Sequence, residues 1–117
     1  MNIGIVGTRT FNNFELFENY INNFISEKDY TINNIISGGA YGADKLAEIY
    51  AKKYGYKMII HYPEWDKYGK SAGYIRNKLI INDSDIIIAF WDNKSKGTKL
   101  SIDLAKKYNK KFIIINI

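Results

Sequence analysis

The chain contains no cysteine, which excludes a disulfide framework and any thiolate metal site and fits a reducing compartment. It has a single histidine, His61, and a single proline, Pro63. A lone histidine cannot assemble a metal site without partners, so no metal is expected, and no cofactor. No stretch resembles a basic, then apolar, secretory leader, because a strand-like run, Ile3–Val6, follows Met1 almost at once. The longest apolar run, Ile86–Trp91, is far too short to cross a bilayer. The expectation is a cytoplasmic protein without a membrane partner. No Gly-, Ser- or Pro-rich linker, low-complexity tract or internal repeat interrupts the sequence, so residues 1–117 read as one domain. The formal net charge of +5 favours anionic partners, whether nucleotides, nucleic acid or acidic proteins. The lysines are scattered, however, as they are on solvated helix faces.

Short β-branched runs alternate with amphipathic stretches. Strands are expected around Ile3–Val6, Ile35–Ile36, Met58–Ile60, Asp85–Phe90 and Phe112–Ile115. Apolar residues at helical spacing fall between them: Phe14, Phe17, Ile21, Phe24 and Ile25; then Leu46, Ala47, Tyr50 and Tyr54, closed by Gly55; then Ile75, Leu79 and Ile80; then Leu100, Leu104, Ala105 and Tyr108. Pro63 to Gly69 reads as a loop. Continuously apolar strands alternating with helices predict an α/β fold, a doubly wound Rossmann-like domain. About five parallel strands in the order 3-2-1-4-5 are expected, with helices on both faces. Ligands of such sheets sit beyond the carboxyl ends of the strands, so the loops there matter most.

After the first strand, Gly7-Thr8-Arg9 is either an ordinary tight turn or a close approach to a ligand, with Arg9 on a phosphate or carboxylate. After the second, Ser37-Gly38-Gly39-Ala40-Tyr41-Gly42-Ala43-Asp44 offers exposed amides beside a helix N-terminus, a combination that binds anions. Asp44 either caps that helix or meets a ribose or a reacting bond. After the third, Trp65 and Tyr68 either stack on a base or pack the loop onto the domain. Gly73 followed by Arg76-Asn77 reads as a polar ligand wall or as solvated surface. After the fourth, Asp92 leads to Ser95, Gly97 and Thr98, a second phosphate cradle or a plain helix cap. The first and fourth strands flank the switch point, so their loops are expected to converge on one crevice. Neither a Walker A loop nor a G-x-G-x-x-G fingerprint is present.

These segments, taken in order, resemble the SLOG superfamily, which includes the LOG phosphoribohydrolases and the DprA/Smf proteins, and most closely its YspA-type branch. The resemblance rests on Gly7-Thr8-Arg9 with Phe11, Ser37-Gly38-Gly39-Ala40 with Gly42-Ala43-Asp44, Gly69-Lys70 with Ala72-Gly73 and Arg76-Asn77, and Ala89-Phe90-Trp91-Asp92 with Ser95 and Gly97-Thr98. It implies a homo-oligomeric domain that binds a nucleotide or a nucleotide-derived phosphate such as an ADP-ribose derivative, as a sensor, sponge or processing protein of bacterial or phage origin. The ligand-binding residues implied are Gly7, Thr8, Arg9, Ser37, Gly38, Gly39, Asp44, Arg76, Asn77, Asp92, Ser95, Gly97 and Thr98. The LOG signature P-G-G-x-G-T-x-x-E matches here at Gly97-Thr98, but Asn93-Lys94-Ser95 replaces its first three residues and Ser101 its glutamate. N-glycosidase chemistry would then fall to Arg76 with Asp44 or Asp92. DprA-like relatives bind single-stranded DNA, which makes nucleic acid a further, less favoured partner.

Overall fold

A computed structural model describes all residues 1–117. The sheet has five parallel strands in the order β3-β2-β1-β4-β5, where β1 is Asn2–Gly7, β2 Asn34–Ser37, β3 Lys57–Ile60, β4 Ile86–Trp91 and β5 Lys111–Asn116. The expected order is therefore observed. At its centre Ile3 pairs with Ile86 and Gly7 with Phe90, which brings the carboxyl ends of β1 and β4 level.

Side chains alternate across these strands, so each face takes half the apolar residues. Ile3, Ile5, Ile35, Ile86, Ile88 and Phe90 pack with Phe17, Ile21, Leu46 and Tyr50. Those last four come from α1 (Phe14–Lys28) and α2 (Ala43–Tyr54). Val6, Ile36, Ile87 and Ala89 pack on the other face with Ile80, Ile81, Ile102 and Leu104. These belong to α4 (Ala72–Asp83) and α5 (Lys96–Lys107). The central strands are continuously apolar because both of their faces are covered. The edge strand β5 instead alternates exposed and part-buried residues from Lys111 to Ile114 and buries only Ile115.

Helix ends follow local chemistry. Asn13 caps α1 by accepting from the Leu16 amide at 3.1 Å. Gly55 ends α2 in the left-handed region, φ 74°, where a side chain would be strained.

Two expectations need correction. The stretch expected as a loop holds one helical turn, α3 (Trp65–Tyr68), which continues through a 3₁₀ turn, Gly69–Ser71, into α4. The amides of Lys67 and Tyr68 both donate to the Glu64 carbonyl. None of its residues is buried, so no apolar periodicity betrayed it. The apolar face of α4 is also displaced: Leu79 is 43% exposed whereas Ile81 is fully buried. Three adjacent apolar residues, Leu79-Ile80-Ile81, leave the helical phase ambiguous until the sheet selects it.

Candidate functional site

The loops at the carboxyl ends of β1, β2 and β4 surround one cavity of about 160 Å³. Gly7, Arg9, Ala40, Asp44, Arg76, Asn77, Ser95, Gly97, Thr98 and Ser101 line it above a floor of Val6 and Ile80. The β1 and β4 loops thus share a crevice.

Close backbone packing builds its walls. A Cβ on Gly7 would lie 2.5 Å from that of Ala43 and 2.7 Å from the Phe90 carbonyl, so β1, β4 and α2 meet only because no side chain intervenes. Gly42 has φ 76°, and a Cβ there would lie 2.2 Å from the Thr8 carbonyl. Thr8 is a clamp in this junction. Its amide donates to the Phe90 carbonyl at 2.9 Å, and its hydroxyl accepts from the Asp92 amide at 3.2 Å. It is 5% exposed and does not line the cavity.

The two glycine-bearing loops differ in how closely their neighbours pack on them. In the β2–α2 loop the Ala40 amide donates to Asp44 Oδ2 at 3.1 Å. The Gly38 amide bonds the same carboxylate, and the Ala43 amide donates to the Thr8 carbonyl at 3.4 Å. Ser37 is fully buried, its hydroxyl has no partner, and it lies outside the cavity lining. Gly38 makes room for an arginine: Arg76 Nη1 donates to its carbonyl at 2.7 Å, and a Cβ there would sit 2.4 Å from that nitrogen. Gly39, at φ 71°, lies beneath the ring of Tyr62.

At the β4–α5 loop, Asp92 Oδ1 accepts from the amides of Lys94 and Ser95, each at 2.8 Å. Those bonds hold its carboxyl below the usual range. Asp92 faces a separate depression with Thr10, Phe11 and Asn13, so its catalytic and ligand-contact roles find no support in its position. Its carboxylate shapes the loop that presents Ser95. Ser95 caps α5, its Oγ 3.3 Å from the Thr98 amide and 3.0 Å from the Thr98 hydroxyl. The amides of Lys96 and Gly97, first in the helix, have no acceptor in the protein. The space beside Gly97 is open.

Charge completes the site. The chain has only two arginines, Arg9 and Arg76, against fifteen lysines. Both line this cavity. Burial lowers the Arg76 pKa, the Asp44 charge opposes that shift, and the Arg9 charge adds to it. Two like charges therefore face one space, with one carboxyl in its wall. That carboxyl, Asp44, is 8% exposed. Burial pushes its pKa up, against the opposing bonds from Ala40 and Gly38 and the Arg76 charge. Asn77 Oδ1 accepts from Arg76 Nε at 2.8 Å, which fixes the guanidinium plane and leaves the Asn77 NH₂ free. Ser101 donates to the Gly97 carbonyl at 3.3 Å, so α5 brings no acid into the cavity.

Sequence reasoning missed three contributors: Ala40, Tyr41 and the significance of arginine scarcity. Tyr41, Pro63 and Trp65 line an adjoining groove of about 270 Å³ that shares Arg9, Ala40 and Arg76 with the cavity. Arginine in a lysine-rich chain was the available signal. A forked guanidinium binds oxyanions bidentately where lysine acts as a point charge.

No protein-family profile and no curated protein sequence matches the chain. Solved structures do. DNA processing protein A (DprA) from Helicobacter pylori, described for its single-stranded DNA binding mode, superposes with a TM-score of 0.73 at 23% identity, over 97% of this chain and 64% of that one. DprA from Streptococcus pneumoniae gives 0.76 at 18% identity, over 99% and 50% respectively. The structural-genomics target TM1055 gives 0.67 at 14% identity, over 95% and 71%. The chain spans between half and two thirds of the length of the two DprA chains. At such identities the likeness is one of fold. No helix is long and apolar enough to cross a membrane.

Proposed function

We propose that the chain is a binding module for a nucleotide or nucleotide-derived phosphate, held in the cavity between β1, β4 and α5. The carrying observation is that both arginines line the cavity at which α5 begins with two unpartnered amides. An anion relieves the repulsion between Arg9 and Arg76 and accepts from Lys96, Gly97 and the Ser95–Thr98 hydroxyl pair. In this reading Ser37, Gly38 and Gly39 support the site instead of touching the ligand, and Thr8 and Asp92 hold its frame. A YspA-type SLOG domain that senses or sequesters its ligand as a homo-oligomer in the cytoplasm fits this reading.

Titration calorimetry with AMP, ADP-ribose and NAD tests it. Binding that weakens by about 10- to 100-fold in Arg76→Ala is expected, since a hydrogen bond to a charged group contributes roughly 1.5–3 kcal/mol. Affinity unchanged in that variant removes the site.

A second reading, N-glycosidic hydrolysis, draws on Asp44, the one carboxyl in the wall. An oxocarbenium-like transition state needs negative charge nearby, whereas burial favours the neutral form of Asp44, and Ser101 replaces the LOG glutamate. Binding without cleavage is therefore favoured. Chromatography of AMP incubated with the protein separates the readings, because only an enzyme releases free adenine.

A further inference from the structure

The groove beside the cavity shares the two arginines with it and is otherwise lined largely by aromatic groups that contribute little to the fold. Tyr41 is 82% exposed and Trp65 55% exposed. Both line the groove with Pro63, and it joins the cavity through Arg9, Ala40 and Arg76. Single exposed aromatics are ordinary. Two on the walls of one groove are not. Tyr41 sits between Gly39 and Gly42, both at positive φ, and the preceding Ala40 amide is tied to Asp44. Trp65 opens α3, and its Cη2 lies near Gly73, 3.7 Å from where a Cβ on that residue would stand. One part of the indole therefore rests against the start of α4 and the remainder is bare.

From this we infer that Tyr41 and Trp65 form a stacking subsite for the nucleobase of a mononucleotide. This inference rests on the phosphate reading above. The ligand enters phosphate first, with its base at the rim between two aromatic walls. The polar cavity and the aromatic groove together fall in the size range of small-ligand pockets, roughly 300–1,000 Å³. The chemistry selected is an aromatic base joined to a phosphate, as opposed to a bare sugar phosphate. Aromatic stacking tolerates any base, because every base has a π-face.

The test compares AMP, ribose 5-phosphate and inorganic phosphate on the wild type, Tyr41→Ala, Tyr41→Phe and Trp65→Leu. AMP is expected to bind about 10-fold or more tightly than ribose 5-phosphate, as base–aromatic stacking generally implies. Tyr41→Ala and Trp65→Leu are expected to erase most of that preference while leaving ribose 5-phosphate affinity unchanged, and Tyr41→Phe to retain it. Tyr41 is so exposed that its replacement should leave the melting temperature in place. AMP should quench tryptophan emission beyond the effect of ribose 5-phosphate, and Trp65→Leu should abolish the excess, leaving Trp91 as the internal reference. Equal affinity for AMP and ribose 5-phosphate overturns the stacking subsite but leaves the phosphate site standing. Failure of all three ligands to bind overturns both. A short oligothymidylate that binds more tightly than AMP replaces the mononucleotide with a strand and overturns the inference as stated.

Discussion

The β2–α2 and β4–α5 junctions look alike in sequence, each with small residues and a serine leading into a helix, yet the fold crowds the glycines of the first and leaves the glycine of the second open. At β2–α2 the Ala40 and Ala43 amides are taken up within the protein, by Asp44 and the Thr8 carbonyl, and the serine is sealed. Its glycines admit neighbours: Gly38 admits Arg76, and Gly42 the Thr8 backbone. At β4–α5, Asp92 and Ser95 take up the loop amides and that of Thr98, the Lys96 and Gly97 amides have no acceptor in the protein, and the space beside Gly97 is open. An anion site needs open space beside its free donors, and glycine content alone does not reveal that space.

The contrast is sharpest under substitution. Gly42→Ala should have the largest effect. It forces a side chain into a positive-φ position and against a backbone oxygen. Strain and overpacking each cost about 1–3 kcal/mol, so a loss of roughly 3–5 kcal/mol in urea unfolding is expected. A loss below about 1 kcal/mol would mean that the junction yields.

Gly97→Asp should do the reverse. It meets no protein atom, and a carboxylate in the first turn of a helix stabilises by about 0.3–1 kcal/mol. Phosphate-ligand affinity should nevertheless fall by at least about 10-fold, a change that corresponds to roughly 1.4 kcal/mol. A stable variant that still binds normally would move the anion away from α5.

Asp44→Asn probes the β2–α2 junction by pH. The Asp44 pKa is raised in the folded protein, so between the unfolded value, about 3.9, and the folded one the native state holds the extra proton. Stability from this group is then greatest at low pH and falls as pH rises through that window. Chemical denaturation across the acid range should show this slope in the wild type and lose it in Asp44→Asn. An identical slope in both would assign it to other carboxyls.

The smallest effect is expected from Asp92→Asn, which keeps an oxygen to accept from the loop amides. AMP affinity should change by no more than about twofold. A tenfold loss in calorimetry would bring Asp92 into the site.

Much of this was legible beforehand. The strand order followed from apolar runs broken by helical stripes, and the convergence of the β1 and β4 loops followed from that order. Arg9, Arg76, Asn77, Ser95, Gly97 and Thr98 were marked as ligand residues, and all of them line the cavity. Thr8, Ser37, Gly38, Gly39 and Asp92 were marked with them and do not. Thr8 and Ser37 point into packed junctions instead, a matter of strand phase and loop closure invisible to spacing. The α3 turn escaped notice because it buries nothing.

The sequence by itself determined the topology, because hydrophobic periodicity encodes which surfaces must leave water, and burial of those surfaces is the dominant favourable term in folding. Only the tertiary structure decided which amides found partners and that two arginines distant in sequence would face one cavity. Those outcomes depend on ångström-scale packing of backbone against backbone, at Gly7, Gly38 and Gly42, which no local pattern records.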